Sequence, residues 1–504
     1  GKDVMELLLA RDANIEITEA VLTAAGNFGG RDVMELLLAR DADIEITEAV
    51  LTAAARNSDE NDVMELLLAR DANIEITEAV LTAAAGNFWR GKDIMDLLLV
   101  RDANIEITEA VLMAAAAEYS NGKDVMELLL ARDADIEITE AVLTAVAGNW
   151  RGKDVMELLL ARDANIEITE AVLTAAVGNS NGKDVMELLL ARDANIEITE
   201  AVLTAAASSY DNDVMELLLA RDANIEITET VLMAAAGNSN GKDVMELLLA
   251  RDANIEITEA VLIAAAGNYW RSKDVMDLLL ARDANIEITE AVLTAAGNFG
   301  GKDVMELLLA RDANIEITEA VLMAAAGNSN GKDVMELLLA RDTDIEVTEA
   351  IVVAATANKK GDEIMELLSQ YPTAPVSLAA AKAAAYFGKY SWFQWLLAKY
   401  DKLYVTDGGY QQLLCAAVEG GSQHIIKSLL MLCKPYSGPD NYDWTLPMLA
   451  TQSRNTWALQ LFEGVHFSHQ FPSRLNPPNR WSKDPIPSVM SLEDDGLAMV
   501  YSGG

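Results

Sequence analysis

The chain is poor in the residues from which most catalytic and metal centres are built. Its 504 residues include only three histidines (His424, His466 and His469) and two cysteines (Cys415 and Cys433). His466 and His469 stand three apart, but no third ligand type gathers beside them. No Ser/His/Asp or Cys/His arrangement can be assembled either. Two cysteines make neither a disulfide framework nor a zinc site, and their apolar neighbours suit reduced, packed thiols. No apolar run reaches the roughly 18 residues that a membrane span needs. The first residues, Gly1-Lys2-Asp3, do not read as a secretory signal. Cationic side chains are scarce too, 38 against 80 carboxylates, for a formal charge of −42. A surface that grips phosphate needs clustered Lys and Arg, so this balance argues against nucleic acid and against an anionic membrane as partners. These absences predict a cytoplasmic, non-catalytic chain with no cofactor and no metal site.

What the chain does have is one phrase repeated. Asp-Val-Met-Glu-Leu-Leu-Leu begins at Asp3 and recurs, with small changes, at Asp32, Asp62, Asp93, Asp124, Asp154, Asp184, Asp213, Asp243, Asp274, Asp303 and Asp333. A degenerate copy follows at Asp362, and the steps are 29 to 31 residues. Such self-similarity is the signature of a repeat architecture. Within a copy, Asp3 and Glu6 have the form of a capping box opening a helix that runs to about Arg11. After Asp12-Ala13-Asn14, Thr18 can cap another helix through Glu19, Val21, Leu22 and Ala25, ended by Gly26-Asn27. Helices this short do not persist alone, so each must bury its face against the next pair. The fold class expected is all-α, a solenoid of stacked short helix pairs. Ile15-Glu16-Ile17 could form a short strand per copy, but its three residues favour an extended turn.

The repeat resembles the ankyrin repeat. Thr18, Val21-Leu22 and Ala24-Ala25 look like the first ankyrin helix, Asp32 to Leu38 like the second, and Ala42-Asp43-Ile44 like the segment that follows it. Leu414 to Gly421, leading into His424 to Leu430, is a clearer copy, and Ala383 to Gly388 before Trp395 a weaker one. The period is shorter than the ankyrin 33, the Thr-Pro-Leu-His corner is missing, and no proline precedes Pro372. The β-hairpin finger must therefore be reduced. Arrays this uniform also resemble the C-terminal sensing arms of fungal STAND or NLR-like receptors. That resemblance implies a ligand-sensing role and a nucleotide-binding domain N-terminal to the array in the parent chain.

Where near-identical copies differ, the differences are informative. The helices barely change, whereas the connection before each Asp varies. It carries Phe28, then Ser58-Asp59-Glu60, then Phe88-Trp89-Arg90, Tyr119, Trp150-Arg151, Ser180, Tyr210, Ser239, Tyr269-Trp270-Arg271, Phe299 and Ser329. Trp, Tyr and Arg dominate binding hot spots, and loops on a rigid frame carry most binding residues. The expected partner is a protein, met through these aromatic and arginine side chains. The role is that of an interaction or sensing module, with a freestanding scaffold or adaptor as the alternative. The blander reading has each ring folding back over its own helix end. Thr23, Met113, Met233, Ile263 and Met323 occupy a second variable position, expected to serve helix packing.

Other signals are weaker. Gly86 to Lys92 has P-loop spacing, but Asp93 follows where Ser or Thr should hold magnesium, and a helix precedes. The thirteen methionines from Met5 to Met365 read as an adaptable core spine. Asp211-Asn212-Asp213 lacks the spaced ligands of a calcium loop. Three regions are expected: the array over 1–361, divergent ankyrin-like repeats forming a cap over 362–470, and an irregular Pro-containing tail over 471–504. Trp392, Trp395, Trp444 and Trp457 should form the core of the cap. Gly1 falls inside a repeat, which suggests a piece of a longer protein.

Overall fold

A computed structural model describes residues 2–399 and 409–432. Excepted are one to three residues in each Asp-Ala-Asn-type turn (for example 12–14, 134–135 and 253), and residues 58–61, 119, 269–270, 372, 373 and 376. Every regular element among the described residues is helical, from Lys2–Arg11 to Gln423–Leu432. Ile136 to Ile138 and its counterparts form neither helix nor strand. The chain divides into two compact units, Gly1–Glu256 and Ile257–Gly504, each a run of stacked helix pairs.

One copy from the first unit shows how the pair forms. Its first helix, Glu140–Gly148, follows Thr139, whose backbone is extended and whose hydroxyl accepts from Val142 N. Its second helix, Gly152–Arg162, ends with a cation in the last turn, where the helix dipole favours it. The first helix buries Val142, Leu143, Val146 and Ala147; the second buries Val155, Met156, Leu159 and Leu160. Each such Val, Leu or Met side chain removed from water contributes about 1.5–3 kcal/mol, so a helix of nine to eleven residues holds only by sharing that face with its neighbours. First helices pack on the first helices before and after them and on their own second helix, and second helices form a parallel row. Alanines let the first-helix row close up: a Cβ placed on Gly26 would meet Ala53 Cβ and Val50 O, each at 3.3 Å. The methionine spine lies inside this stack, with Met156, Met186 and Met215 fully buried.

The second helix does not open with a capping box. It begins two residues earlier than expected, at Gly152 for Asp154, and Arg151 at its N-cap makes no side-chain bond. The cause lies upstream. Asn149 Oδ1 accepts from Arg151 N at 2.9 Å and turns the chain before Gly152. Asp154 then falls in the first turn, where its charge meets the positive end of the helix. Only where the connection lacks its glycine does the helix begin at the aspartate, as at Asp213; there Ser209 stands in the asparagine's place, its Oγ accepting from Asp211 N at 3.3 Å, and Asp211 Oδ1 accepts in turn from Asp213 N at 3.0 Å.

Helix pairs continue beyond the uniform copies through Leu378–Tyr386, Tyr390–Lys399, Gly409–Glu419 and Gln423–Leu432. Trp392 is buried and stacks on the half-buried Trp395 at 4.3 Å between ring centroids. Trp444 and Trp457 lie outside the described residues.

Candidate partner-binding edge

The connections are held from below by a row of buried asparagines. Asn179 Nδ2 donates to Ala147 O at 2.9 Å and to Asn149 O at 2.6 Å, both in the preceding copy, while its Oδ1 accepts from Asn181 N at 3.0 Å. Asn87 spans Ala55 O and Asn57 O in the same way, Asn238 spans Ala207 O and Ser209 O, and Asn358 spans Ala326 O and Asn328 O. These amides satisfy carbonyls left open at the ends of the first helices, which would be costly to bury unpaired. The sequence reading treated this asparagine only as a stop signal. The clue available was its persistence beside a neighbour that changes between Phe, Trp, Tyr and Ser.

Two further rows link copies. Arg162 donates to Leu130 O at 2.8 Å and Asp133 O at 2.7 Å, and Arg192, Arg221, Arg251, Arg311 and Arg341 repeat the bond to the aspartate carbonyl one copy back. Thr169 Oγ1 donates to Glu140 Oε1 at 2.5 Å, with the same pairing at Thr47–Glu19, Thr228–Glu200, Thr289–Glu259 and Thr318–Glu290. Hydrogen bonds from Thr228 and then Thr230 hold the Glu200 carboxyl below the usual carboxylate range. Exposed Lys–Asp pairs such as Lys183–Asp213 (3.1 Å) complete the links; the bond raises the Lys183 pKa, but pairs this wet contribute little.

Above the asparagine row the aromatic side chains face solvent. Phe28 is 86% exposed, Trp89 65% and Tyr210 75%, with Phe88, Trp150 and Phe299 also exposed. Phe88 and Trp89 meet edge to face at 4.7 Å, and the Arg151 guanidinium lies 4.8 Å over the Trp150 ring. Arg90 is half-buried and reaches Asp93 at 3.5 Å, while Arg151 and Arg271 are exposed. Tyr119, Tyr269 and Trp270 lie outside the described residues. The described tips thus sit along the connection edge of their own unit, Phe28, Phe88, Trp89, Trp150 and Tyr210 in Gly1–Glu256, and Phe299 in Ile257–Gly504.

The glycines of the connection decide the local backbone. In Gly297-Asn298-Phe299-Gly300-Gly301 the first helix runs on as a π-helical turn, Ala296–Gly300, and Gly301 takes φ +72°; in the matching Gly26 to Gly30 it runs on as α-helix to Phe28 and Gly30 takes φ +65°, conformations that favour glycine. Where a single glycine opens the second helix it touches the previous helix: a Cβ on Gly182 would lie 2.1 Å from Ala176 O. Ser272 stands at this position in one copy, whose connection is one residue longer.

The second variable position lies at the border of the packed face: Met113, Met233 and Met323, four residues after Glu109, Glu229 and Glu319, are 38–39% exposed, while Thr23 and Ile263 are half-buried. Nearby, Glu200, Ala201, Thr204, Ala205, Ser208 and Thr230 line a wide, shallow depression. Cys415 is largely buried, and burial, helped by Glu419, pushes its thiol up to about 11. Cys433 lies outside the described residues, which contain no group of three His, Cys, Asp or Glu side chains able to hold a metal. No described helix is long and apolar enough to cross a membrane.

Helix pairs repeated in this way define a tandem helical-repeat protein. The chain belongs to the family described as "Domain of unknown function (DUF7104)", whose model matches twelve consecutive segments from 7–34 to 337–365. No curated protein matches the sequence. Among solved structures, the pentatricopeptide repeat protein PPR10 from maize is similar at 12% identity and a TM-score of 0.29, over 92% of this chain and 76% of that one. One expectation is corrected here. The net charge of the whole chain is too coarse a ground for excluding nucleic acid as a partner. Helical-repeat arrays include readers of single-stranded RNA that take one base per repeat on two or three side chains. Recognition of that kind depends on local side chains, so a charge summed over the whole chain does not remove nucleic acid from the possible partners.

Proposed function

We propose that the chain is a non-catalytic binding module that captures a protein partner along its connection edge. The observation that carries this reading is the contrast between adjacent residues. Asn87 and Asn149 are buried and bonded to the copy before them, while the rings beside them, Phe88 and Trp150, are exposed, and that neighbour changes from copy to copy. Rings that merely covered helix ends would be buried. Exposed aromatics on a rigid frame are the residues from which binding hot spots are made. Phe28, Phe88, Trp89, Trp150 and Tyr210, with Arg90 and Arg151, form this surface in the first unit. Tyr119, Tyr269, Trp270, Arg271 and Phe299 extend the set.

Within this proposal the module is the ligand-sensing arm of a larger cytoplasmic receptor. The support is the resemblance of the helix pairs to ankyrin repeats and of the uniform array to fungal NLR-like arms. The reading requires a nucleotide-binding domain upstream in the parent chain. An adaptor working without such a domain would use the same edge. The test compares proteins captured from an extract of the expressing cells by the intact chain and by a folded W89A/W150A/Y210A variant. Loss of the captured species with unchanged helical content is expected; unchanged capture overturns the reading.

A further inference from the structure

In the first unit the bonds between copies recur so regularly that a junction without them stands out. Where Glu140–Gly148 meets Glu170–Gly178, Asn179 spans Ala147 O and Asn149 O, Thr169 Oγ1 donates to Glu140 Oε1, and Asn181 Nδ2 ties down Trp150 O at 2.7 Å. Where Glu200–Ser208 meets Glu229–Gly237, Asn238 spans Ala207 O and Ser209 O, Thr228 donates to Glu200 Oε1, and Asn240 ties down Tyr210 O at 2.6 Å.

The junction lying between these two, of Glu170–Gly178 with Glu200–Ser208, has none of the three links. Ser209 stands where the amide should be, and its hydroxyl accepts from Asp211 N instead of reaching back. Asp211 stands in place of the tethering Asn181, and a carboxylate has no N–H to give. Asn212 turns forward, its Nδ2 donating to Asp243 Oδ2 at 3.5 Å and its Oδ1 buried without a partner. Thr199 Oγ1 accepts from Val202 N, but among the described residues it makes no bond to Glu170. Arg221 still donates to Asp193 O at 3.2 Å and Lys183 still pairs with Asp213, both in exposed places. The junction of Glu78–Ala85 with Glu109–Ala117 is an intermediate case. Glu118 replaces the amide there and Thr108 Oγ1 has no partner, yet Asn121 keeps its bond to Phe88 O.

In a stack each helix pair touches only its neighbours, so stability is a sum of terms for the pairs and for the junctions between them. The pairs here are nearly identical, so the junction terms decide where the stack opens. Val177 O, the counterpart of Ala147 O, has also lost the amide donor that its place at a helix end calls for. We propose that this junction is a hinge built into the first unit, at which the pairs ending with Gly182–Arg192 part from those beginning with Glu200–Ser208 more readily than at the junctions on either side. Trp150 lies on one side of the hinge and Tyr210 on the other, so opening changes the distance between these tips. The hinge does not depend on which partner the connection edge takes.

Hydrogen exchange read by mass spectrometry on the full chain tests this, because the connections differ in sequence and yield peptides that can be told apart. After correction for intrinsic rates, segment 203–215 is expected to exchange about tenfold faster than 143–155, whose copy is bonded to both neighbours through Asn149 and Asn179. Ser209→Asn returns an amide donor and should remove most of that difference while leaving 143–155 unchanged. Asn179→Ser takes the same donor from a linked junction and should speed exchange at 173–185 about fivefold or more. Equal exchange of 203–215 and 143–155 in the unsubstituted chain overturns the hinge. So does a result in which neither substitution moves exchange at its own junction.

Discussion

Within a connection, Asn149 and Trp150 are consecutive residues with opposite surroundings. Asn149 is 6% exposed and donates to Ala116 O at 2.8 Å in the copy before it, whereas Trp150 is 45% exposed. The lower half of the connection joins copies to one another, and the upper half faces outward. This division explains how the array tolerates Phe, Trp, Tyr or Ser at the tip without change in the helices: the bond that the next copy makes to the tip reaches its backbone carbonyl, as Asn181 Nδ2 reaches Trp150 O, and any residue supplies that carbonyl. It also separates two kinds of sequence constancy. An asparagine kept among varying neighbours marks a bond between repeats, while a varying aromatic on that same turn marks a surface.

The contrast can be broken or sharpened by substitution, beginning with the largest effect. Gly182→Ala forces a Cβ to within 2.1 Å of Ala176 O, so a loss of about 3 kcal/mol, the upper end of overpacking costs, is expected in urea unfolding. Asn179→Ala removes two donated bonds and one accepted bond in a buried place and should cost about 2 kcal/mol, with faster hydrogen exchange at Asn181 and Gly182. Gly301→Ala places a side chain at φ +72° and should cost about 1–2 kcal/mol. Gly178→Ala, in an open helical position, should be neutral or slightly stabilising.

The smallest effect is on pH. The Glu200 pKa is lowered in the folded chain by Thr228 and Thr230, so this rung stabilises above the unfolded carboxylate pKa and is lost as pH falls through the folded value. Removing both partners with Thr228→Val and Thr230→Ala should move the Glu200 carboxyl titration, followed by NMR, back up toward the ordinary range.

Much of this was legible in the sequence because the copies repeat it. Thr139, Val142-Leu143 and Val155-Met156 with Leu159-Leu160 announce two short amphipathic helices, and they form where the pattern puts them. Ile136-Glu137-Ile138 was too short to pair as a strand and forms none. What a single copy could not reveal were the bonds running between copies. Asp154 looks like a cap until Asn149 is seen to turn the chain first, and Arg162 looks like a dipole partner until it reaches carbonyls one copy away. Met113 was harder to place. Its helix buries Val111, Leu112, Ala115 and Ala116 on the inner face, and position 113 falls at the edge of that face, 38% exposed.

Urea unfolding of W89A/W150A/Y210A beside the parent chain tests the division between holding and presenting residues most directly. The account predicts superimposable curves, with each tip worth no more than about 0.5 kcal/mol as an ordinary surface position. A loss as large as that expected for Asn179→Ala would contradict it and make the rings covers for the helix ends.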